Sequence, residues 1–371
     1  MKRILFLFSD TGGGHRSATE AIIEAMSADY PGEFSCNMVD FFRSYYPAPF
    51  KYAPEIYQRM AKYPIGWSIP YELSDGKRRT RMAYGLSYPV LRRAMHRLLA
   101  ENPCDLVVSV HPLPNNTVLR AMRHHPKPLI TVVTDMVTTH AFWYERRANV
   151  VIVPTEAAKK LALKYGVPEA RVRVIGLPVA AKFSTPLLDR SAWRREQGWD
   201  ESLPTALLVG GGDGMGPLLK VAKALNEASL PMQLAVICGR NEDLKADMEA
   251  LEWNIPAHIY GFTTQMPAFM GASDMLITKA GPGTISEGFI AGLPLILYSR
   301  LPGQEDGNVT YVKENGAGVW APNAKAVLET VREWVAQPEA RAAAAAASKS
   351  LAKPDAAKDI AKVIAEQVGV A

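Results

Sequence analysis

The sequence predicts an α/β protein made of two doubly wound domains, each on a parallel sheet, and three observations predict it. Short aliphatic or β-branched runs alternate with longer helical stretches along the chain. The runs are continuous rather than alternating, which is how strands buried on both faces read. Six runs fall in each half, and 371 residues hold about two domains at roughly 150 residues each.

In the first half the strand runs are residues 4–8, 34–39, 106–110, 129–133, 150–153 and 172–175. In the second half they are 206–209, 234–237, 258–260, 275–277, 294–298 and a short 319–320. Helical stretches lie between them, among them 17–28, 155–165, 217–228 and 284–291. Residues 178–204 carry Pro178, Pro186 and Pro204 and no strand run, so the domain boundary is expected there. The expected division is 1–178 and 179–354. The Ala-rich tail from Arg341 is helical in propensity, Pro354 divides it, and a last helix within 355–371 is expected to cross back onto the first domain, with Ile360, Val363, Ile364 and Gln367 near one face.

Composition removes several classes. With 48% apolar and 21% charged residues the chain is neither disordered nor fibrous. Three scattered cysteines (Cys36, Cys104, Cys238) make no disulfide framework and no zinc site, and they fit a reducing compartment such as the cytoplasm. The five-residue apolar run after Lys2-Arg3 is too short for a signal-peptide core. No apolar window reaches the length of a membrane span.

Charge is uneven. Residues 1–150 hold 19 Lys+Arg and 13 Asp+Glu, a net of +6, out of +5 for the whole chain. Residues 43–97 alone hold 11 basic against 3 acidic residues, and ten aromatics fall between Phe41 and Tyr71. Basic residues mixed with Trp and Tyr suit the surface of a lipid bilayer. A solvated basic helix beside an aromatic cluster, or a nucleic-acid face, would use the same ingredients.

Three strand-end loops carry the chemistry. The first, residues 9–16, is Ser-Asp-Thr-Gly-Gly-Gly-His-Arg, between the first strand and a helix. Three glycines let backbone N–H groups approach a ligand, and a helix N-terminus favours an anion. Its glycines are consecutive and Ser17 stands where a dinucleotide fingerprint needs Gly, and no Gly-Lys-Ser/Thr follows. His15 falls in the first helical turn, where the dipole disfavours its cation and leaves a neutral ring able to accept a proton. A capping or phosphate-contacting histidine is the plainer reading. The second loop, residues 210–217 (Gly-Gly-Gly-Asp-Gly-Met-Gly-Pro), repeats the device and suits a pyrophosphate or sugar phosphate. The third runs from Ile277 through Gly281 and Gly283 to Glu287, a carboxylate one turn into a helix that can bind two vicinal hydroxyls of a ribose, or simply sit at a helix start. Beyond it, residues 302–308 are a polar loop suited to sugar hydroxyls. There is no Asp-x-Asp, His-Glu-x-x-His or Gly-x-Ser-x-Gly, which weighs against metal-dependent Asp-x-Asp chemistry, a zinc hydrolase and a serine hydrolase.

Together these motifs, with Ser109-Val-His-Pro112, Thr134-Asp135, Ile237-Cys-Gly-Arg-Asn241, Pro302-Gly-Gln-Glu305 and Asn315-Gly-Ala-Gly318, resemble the monogalactosyldiacylglycerol synthase and processive diacylglycerol glucosyltransferase family of glycosyltransferase family 28. They are more distantly similar to the N-acetylglucosaminyltransferase of the lipid-linked peptidoglycan precursor. The resemblance runs from residue 3 to about 320. It implies a GT-B fold, two Rossmann-like domains facing across a cleft. It also implies inverting transfer of galactose or glucose from a UDP-sugar to the sn-3 hydroxyl of diacylglycerol, giving a β-glycosyl diacylglycerol, with no cofactor and no metal.

Carried over by motif, Phe262 and Thr263 match the stretch covering uracil, and Glu287 matches the ribose ligand. Gly211, Gly212 and Asp213 fall in the phosphate or sugar loop with Arg240 nearby, Gln304, Glu305 and Asn308 match the hexose loop, and Gly13, Gly14, Gly281, Gly283 and Thr284 complete the donor set. The first domain is then the acceptor domain, with Trp67, Arg78, Arg79, His140 and Trp143 on the acceptor or membrane side. His15 and Asp135, the latter just after strand 129–133, are the catalytic candidates, either one the base. The implied partners are UDP-galactose or UDP-glucose, membrane diacylglycerol and an anionic lipid surface, not nucleic acid, and the implied location is the cytoplasmic face of a membrane. A UDP-sugar 2-epimerase, or transfer to another lipid-linked acceptor, is the alternative.

Overall fold

The computed structural model describes residues 1–11, 13–61 and 64–370, without the side chains of Gln58, Ala61, Pro64, Ile65 and Trp67. The chain forms two compact units. One comprises Met1–Ala181, Leu301–Gly307 and Pro354–Ala371, and the other Lys182–Arg300 and Asn308–Lys353.

The first unit holds strands β1 (Lys2–Phe8), β2 (Phe34–Asp40), β3 (Leu106–Ser109), β4 (Leu129–Val132), β5 (Val150–Val153) and β6 (Val172–Val174). They form one parallel sheet in the order β2-β1-β3-β4-β5-β6. Every residue of β3, β4 and β5 is buried, because helices cover both faces of the sheet. Side chains alternate between the faces. Ile4 and Phe6 point into one core with Ile22 and Met26 of the helix Gly14–Asp29 and with Ile360 and Ile364 of the C-terminal helix Ala356–Gln367. Leu5 and Leu7 point into the other, with Leu91, Met95 and Leu98 of the long helix Lys77–Glu101. Ala357 and Ala361 are buried on the C-terminal helix, and Gln367, expected on that face, is exposed.

The short segment Leu301–Gly307 groups with the first unit, although its sequence position puts it among the strands of the second. Its hydrogen bonds explain this: the Gly307 N–H donates to Thr138 Oγ1 at 3.0 Å, and the Gln304 amide donates to Asp135.

The second unit holds β7 (Thr205–Val209), β8 (Gln233–Ile237), β9 (Ala257–Tyr260), β10 (Met275–Lys279), β11 (Leu295–Ser299) and β12 (Gly318–Trp320), parallel in the order β12-β11-β10-β7-β8-β9. Its core joins Leu208, Val236 and Ile277 to Leu218, Val221 and Leu225 of the helix Leu218–Glu227 and to Val327, Val331 and Trp334 of the helix Ala324–Ala336. The β10–β11 register shifts between Thr278 and Lys279, just where the third glycine loop begins.

Candidate active site

Ligands of open parallel sheets bind beyond the carboxyl ends of the strands where strand order reverses. In the first unit that point lies between β1 and β3. The loop after β1 is fixed by Arg16, whose guanidinium donates twice to the Asp10 carboxylate at 2.7 Å and lies over Phe8. Arg16 is therefore committed to the loop rather than offered to a ligand. Gly13 caps the following helix in the left-handed region, at φ 78°, and Gly14 opens it.

His15 sits in that first turn. Its Nδ1 lies 3.0 Å from Thr134 Oγ1, its ring also bonds the Val110 backbone, and its centroid is 4.7 Å from that of His111. Burial lowers its pKa to about 4, opposed by the Val110 bond. The ring is neutral near pH 7, and burial rather than the helix dipole is the leading cause. His111 is buried and neutral for the same reason, with His15 beside it, and its Nδ1 accepts the Leu113 N–H.

Asp135 follows β4, at 8% exposure. Its Oδ2 accepts the Trp143 indole N–H at 2.6 Å and its Oδ1 accepts the Gln304 amide at 3.0 Å. Burial raises the carboxyl to about 6; the two hydrogen bonds oppose this and nearby Glu305 adds to it. Gln304 thus lies with Asp135 in the first unit, whereas the hexose-loop motif places it in the second. Glu305, read as its neighbour in that loop, is buried and accepts the Leu301 N–H at 2.7 Å, so it braces its own turn.

His15, His111, Asp135 and Gln304 meet at one cavity of about 450 Å³ in the first unit. The rest of its wall is mainly apolar: Phe42, Phe50, Ile56, Tyr57 and Met60 among others, brought in by the segments between β2 and the long helix. Trp143 forms part of the wall and is fully buried, so it is an inner support rather than a membrane-surface residue. His140 also lines the cavity, but its Nδ1 accepts the Phe142 N–H at 3.1 Å. The proton is then on Nε2, which faces Ser74 Oγ at 3.1 Å, and the ring stacks on Phe142. Burial lowers the His140 pKa against the pull of Asp75. It reads as a structural histidine.

The basic segment is a surface. Arg78 and Arg79 begin the helix Lys77–Glu101 and are exposed, Arg79 donating to the Glu72 carbonyl. Met82, Leu86 and Val90 of that helix, four residues apart, are exposed, as are Ile69 and Leu73 of the helix Pro64–Ser74. The side chain of Trp67, on the same helix, lies outside what the structure describes. Among the described residues no helix is long and apolar enough to cross a membrane.

In the second unit the strand order reverses between β7 and β10. The loop after β7 holds Gly211, Gly212 and Asp213, and the loop after β10 holds Gly281, the cap of the helix Pro282–Ala291. No side chain caps that helix start, and Gly283 and Thr284 lie in its first turn, so free N–H groups point outward. Arg240, after β8, is 3.5 Å from Asp213 and stacks 4.4 Å from the centre of the exposed Phe262 ring. Thr263 Oγ1 accepts the Gln265 N–H, shaping the turn after β9. Burial raises the Glu287 carboxyl to about 7, moderated by Lys182. Asn308 is buried and donates to the Ala280 carbonyl at 2.9 Å, so it holds the third glycine loop. Among the described residues no group of three or more His, Cys, Asp or Glu side chains is placed to hold a metal ion.

The missing signals were long-range ones. The Trp143–Asp135 and Gln304–Asp135 bonds join residues 8 and 169 positions apart and form no local motif.

Comparison with known proteins adds names to this geometry. The family described as monogalactosyldiacylglycerol (MGDG) synthase matches residues 15–179, and the glycosyltransferase family 28 C-terminal domain matches residues 206–360. Monogalactosyldiacylglycerol synthase 1, chloroplastic, of Arabidopsis thaliana is 37% identical over 90% of this chain and 64% of its own length. Monogalactosyldiacylglycerol synthase 3, chloroplastic, of the same plant is 38% identical over 90% of this chain and 74% of its own. The chain thus spans about two thirds of the length of such relatives, 64% for the first. Among solved structures, S. aureus MnaA with UDP aligns at TM-score 0.67 with 12% identity, covering 100% of this chain and 98% of that one. Acinetobacter baumannii MurG aligns at 0.64 with 16% identity, covering 99% and 100%. At such identities these two show the fold alone, and it is the GT-B fold. The expected cytoplasmic location is overturned: the relatives are chloroplastic proteins by name.

Proposed function

We propose a function from one premise: the chain belongs to the monogalactosyldiacylglycerol synthase family. It transfers a hexose, galactose by the family's chemistry, from a UDP-sugar to the sn-3 hydroxyl of diacylglycerol and inverts the anomeric centre. The observation that carries this reading is the mainly apolar cavity of about 450 Å³ with Asp135 and His15 in its wall. A greasy alcohol suits that lining, and a titratable group stands beside the place for its hydroxyl.

Asp135 is the base in this reading. Its conjugate acid has a pKa of about 6 against about 4 for His15, so it is the stronger proton acceptor. Asp135 takes the hydroxyl proton as the alcohol oxygen bonds to C1 of the sugar. The C1–O bond to UDP breaks, and its electron pair leaves on the diphosphate. His15, held by Thr134, orients the acceptor as a neutral partner. In the second unit the glycine-loop amides, the uncapped helix start and Arg240 take up the charge of the departing diphosphate, Glu287 binds the ribose and Phe262 covers the base.

The exposed Ile69, Leu73, Met82, Leu86 and Val90 beside Arg78 and Arg79 support contact with an anionic lipid surface, from which the acceptor enters. The 2-epimerase alternative is not favoured, because an enzyme acting on a free nucleotide sugar has no use for an apolar cavity beside its polar groups.

The test is incubation with radiolabelled UDP-galactose or UDP-glucose and liposomes containing diacylglycerol, followed by lipid chromatography. Label in a monohexosyl diacylglycerol is expected. Epimerised nucleotide sugar with no labelled lipid would contradict the reading.

A further inference from the structure

We infer that Trp143 is a positioning residue: its indole N–H fixes the Asp135 carboxylate so that one face stays turned to the cavity. The inference rests on the reading of Asp135 as base and adds the group that aims it.

Geometry carries it. The indole is fully buried, and the Nε1–Oδ2 distance of 2.6 Å is at the short end for a bond to a charged acceptor. The indole cannot drift, because Asn115 Nδ2 donates to the Trp143 carbonyl at 3.2 Å and to that of Phe142 at 3.3 Å. The strand end beside it is pinned too, as Thr155 Oγ1 donates to the Met136 carbonyl at 2.7 Å. The Gln304 amide holds the other oxygen. Each carboxylate oxygen accepts one of these bonds and keeps a second lone pair.

The choice of donor has a chemical consequence. The groups that shift Asp135 are Trp143, Gln304 and Glu305, with no lysine or arginine among them. Tyr57, Tyr71 and Tyr144 are the other titratable groups that feel its charge. A guanidinium in place of the indole would orient the carboxylate equally well but would drain its basicity. A neutral N–H orients it and leaves it able to take a proton. The indole centroid also lies 6.0 Å from that of the His15 ring, so one side chain neighbours both groups in the cavity wall.

The experiment compares wild type with Trp143→Phe, and with 3-benzothienylalanine at position 143, which keeps the ring shape and lacks the N–H. Each is made in the native background and with Asp135→Asn. Turnover across pH, UDP affinity and thermal unfolding are measured on the full chain. Both variants are expected to lose about tenfold or more in kcat. The acidic limb of the pH profile should move up by about one unit, because removing a bond to the charged form raises the pKa. UDP affinity should stay within about twofold, and the loss should vanish in the Asp135→Asn background. An unmoved limb with full turnover in the benzothienyl variant would overturn the inference, as would an equal fold-loss on both backgrounds. Near-normal turnover of Asp135→Asn alone would instead sink the reading of Asp135 as base. If Trp143→Phe fails to fold, the benzothienyl variant decides.

Discussion

The two units use one device, a glycine turn between strand and helix at the point where strand order reverses, yet their glycines serve opposite ends. In the first unit a Cβ at Gly13 or Gly14 would meet nothing within 4 Å. In the second, a Cβ at Gly214 (φ +58°) would run into the Cys238 carbonyl, and one at Gly216 would lie 2.7 Å from the Tyr298 ring. Glycine in the first loop leaves open space beside the cavity. Glycine at 214 and 216 lets the protein's own backbone interlock, while Gly211 and Gly212 face only the ends of Lys279 and Arg240. A glycine run in a sequence does not tell these cases apart.

The difference in chemistry follows the same division. The first unit encloses buried titratable groups in an apolar wall, and the second presents backbone amides, an arginine and an exposed aromatic ring. Asp135→Asn and Glu287→Gln should therefore fail differently. Asp135→Asn is expected to lower kcat by about 10²–10⁴ with UDP affinity unchanged. Glu287→Gln is expected to weaken UDP binding three- to tenfold, about 1 kcal/mol, with a smaller effect on kcat. Steady-state kinetics and UDP titration separate the two, and matching defects would break the comparison.

Stability sharpens it next. Gly214→Ala combines a left-handed backbone with a backbone clash and should cost about 3 kcal/mol, seen as a fall of roughly 6–12 °C in Tm. Gly14→Ala, whose φ is ordinary and whose surroundings are open, should stay within about 0.5 kcal/mol of wild type. Equal losses would mean that the first loop is as interlocked as the second.

The remaining effect is in pH. His15 falls from 6.5 to about 4 on folding, so its stabilising contribution is full above 6.5 and is lost as pH drops toward 4. Asp135 and Glu287 are raised to about 6 and about 7, so theirs is full below the unfolded values and lost as pH rises through those points. His15→Gln should then flatten the acid side only, by about 1–2 kcal/mol at pH 5 once partial solvent exposure is allowed for. Denaturant titrations from pH 4 to 7.5 would show it, and an unchanged acid side would contradict the burial of the ring.

Much of the fold was legible because buried parallel strands are written as local apolar runs. Even the short 319–320 run marks β12, and Pro354 marks the break before the last helix. The place of His15 was legible as well, because it stands one residue after a glycine turn at a strand end. What was not legible depends on distant partners. Nothing near Gln304 in sequence announces Asp135, and nothing near Trp143 distinguishes an indole at a membrane from one turned inward. The cavity escaped notice for the same reason: its walls come from short segments with no motif, gathered by packing alone.

The central claim is that the lipid acceptor occupies the first unit's cavity. A diacylglycerol carrying a photoactivatable diazirine on one acyl chain, cross-linked to the full chain in liposomes and mapped by peptide mass spectrometry, tests it most directly. The account predicts adducts on cavity residues such as Phe50, Ile56 and Met60, suppressed by excess unlabelled diacylglycerol. Competable adducts confined to residues 182–300, with none on the cavity wall, would contradict it.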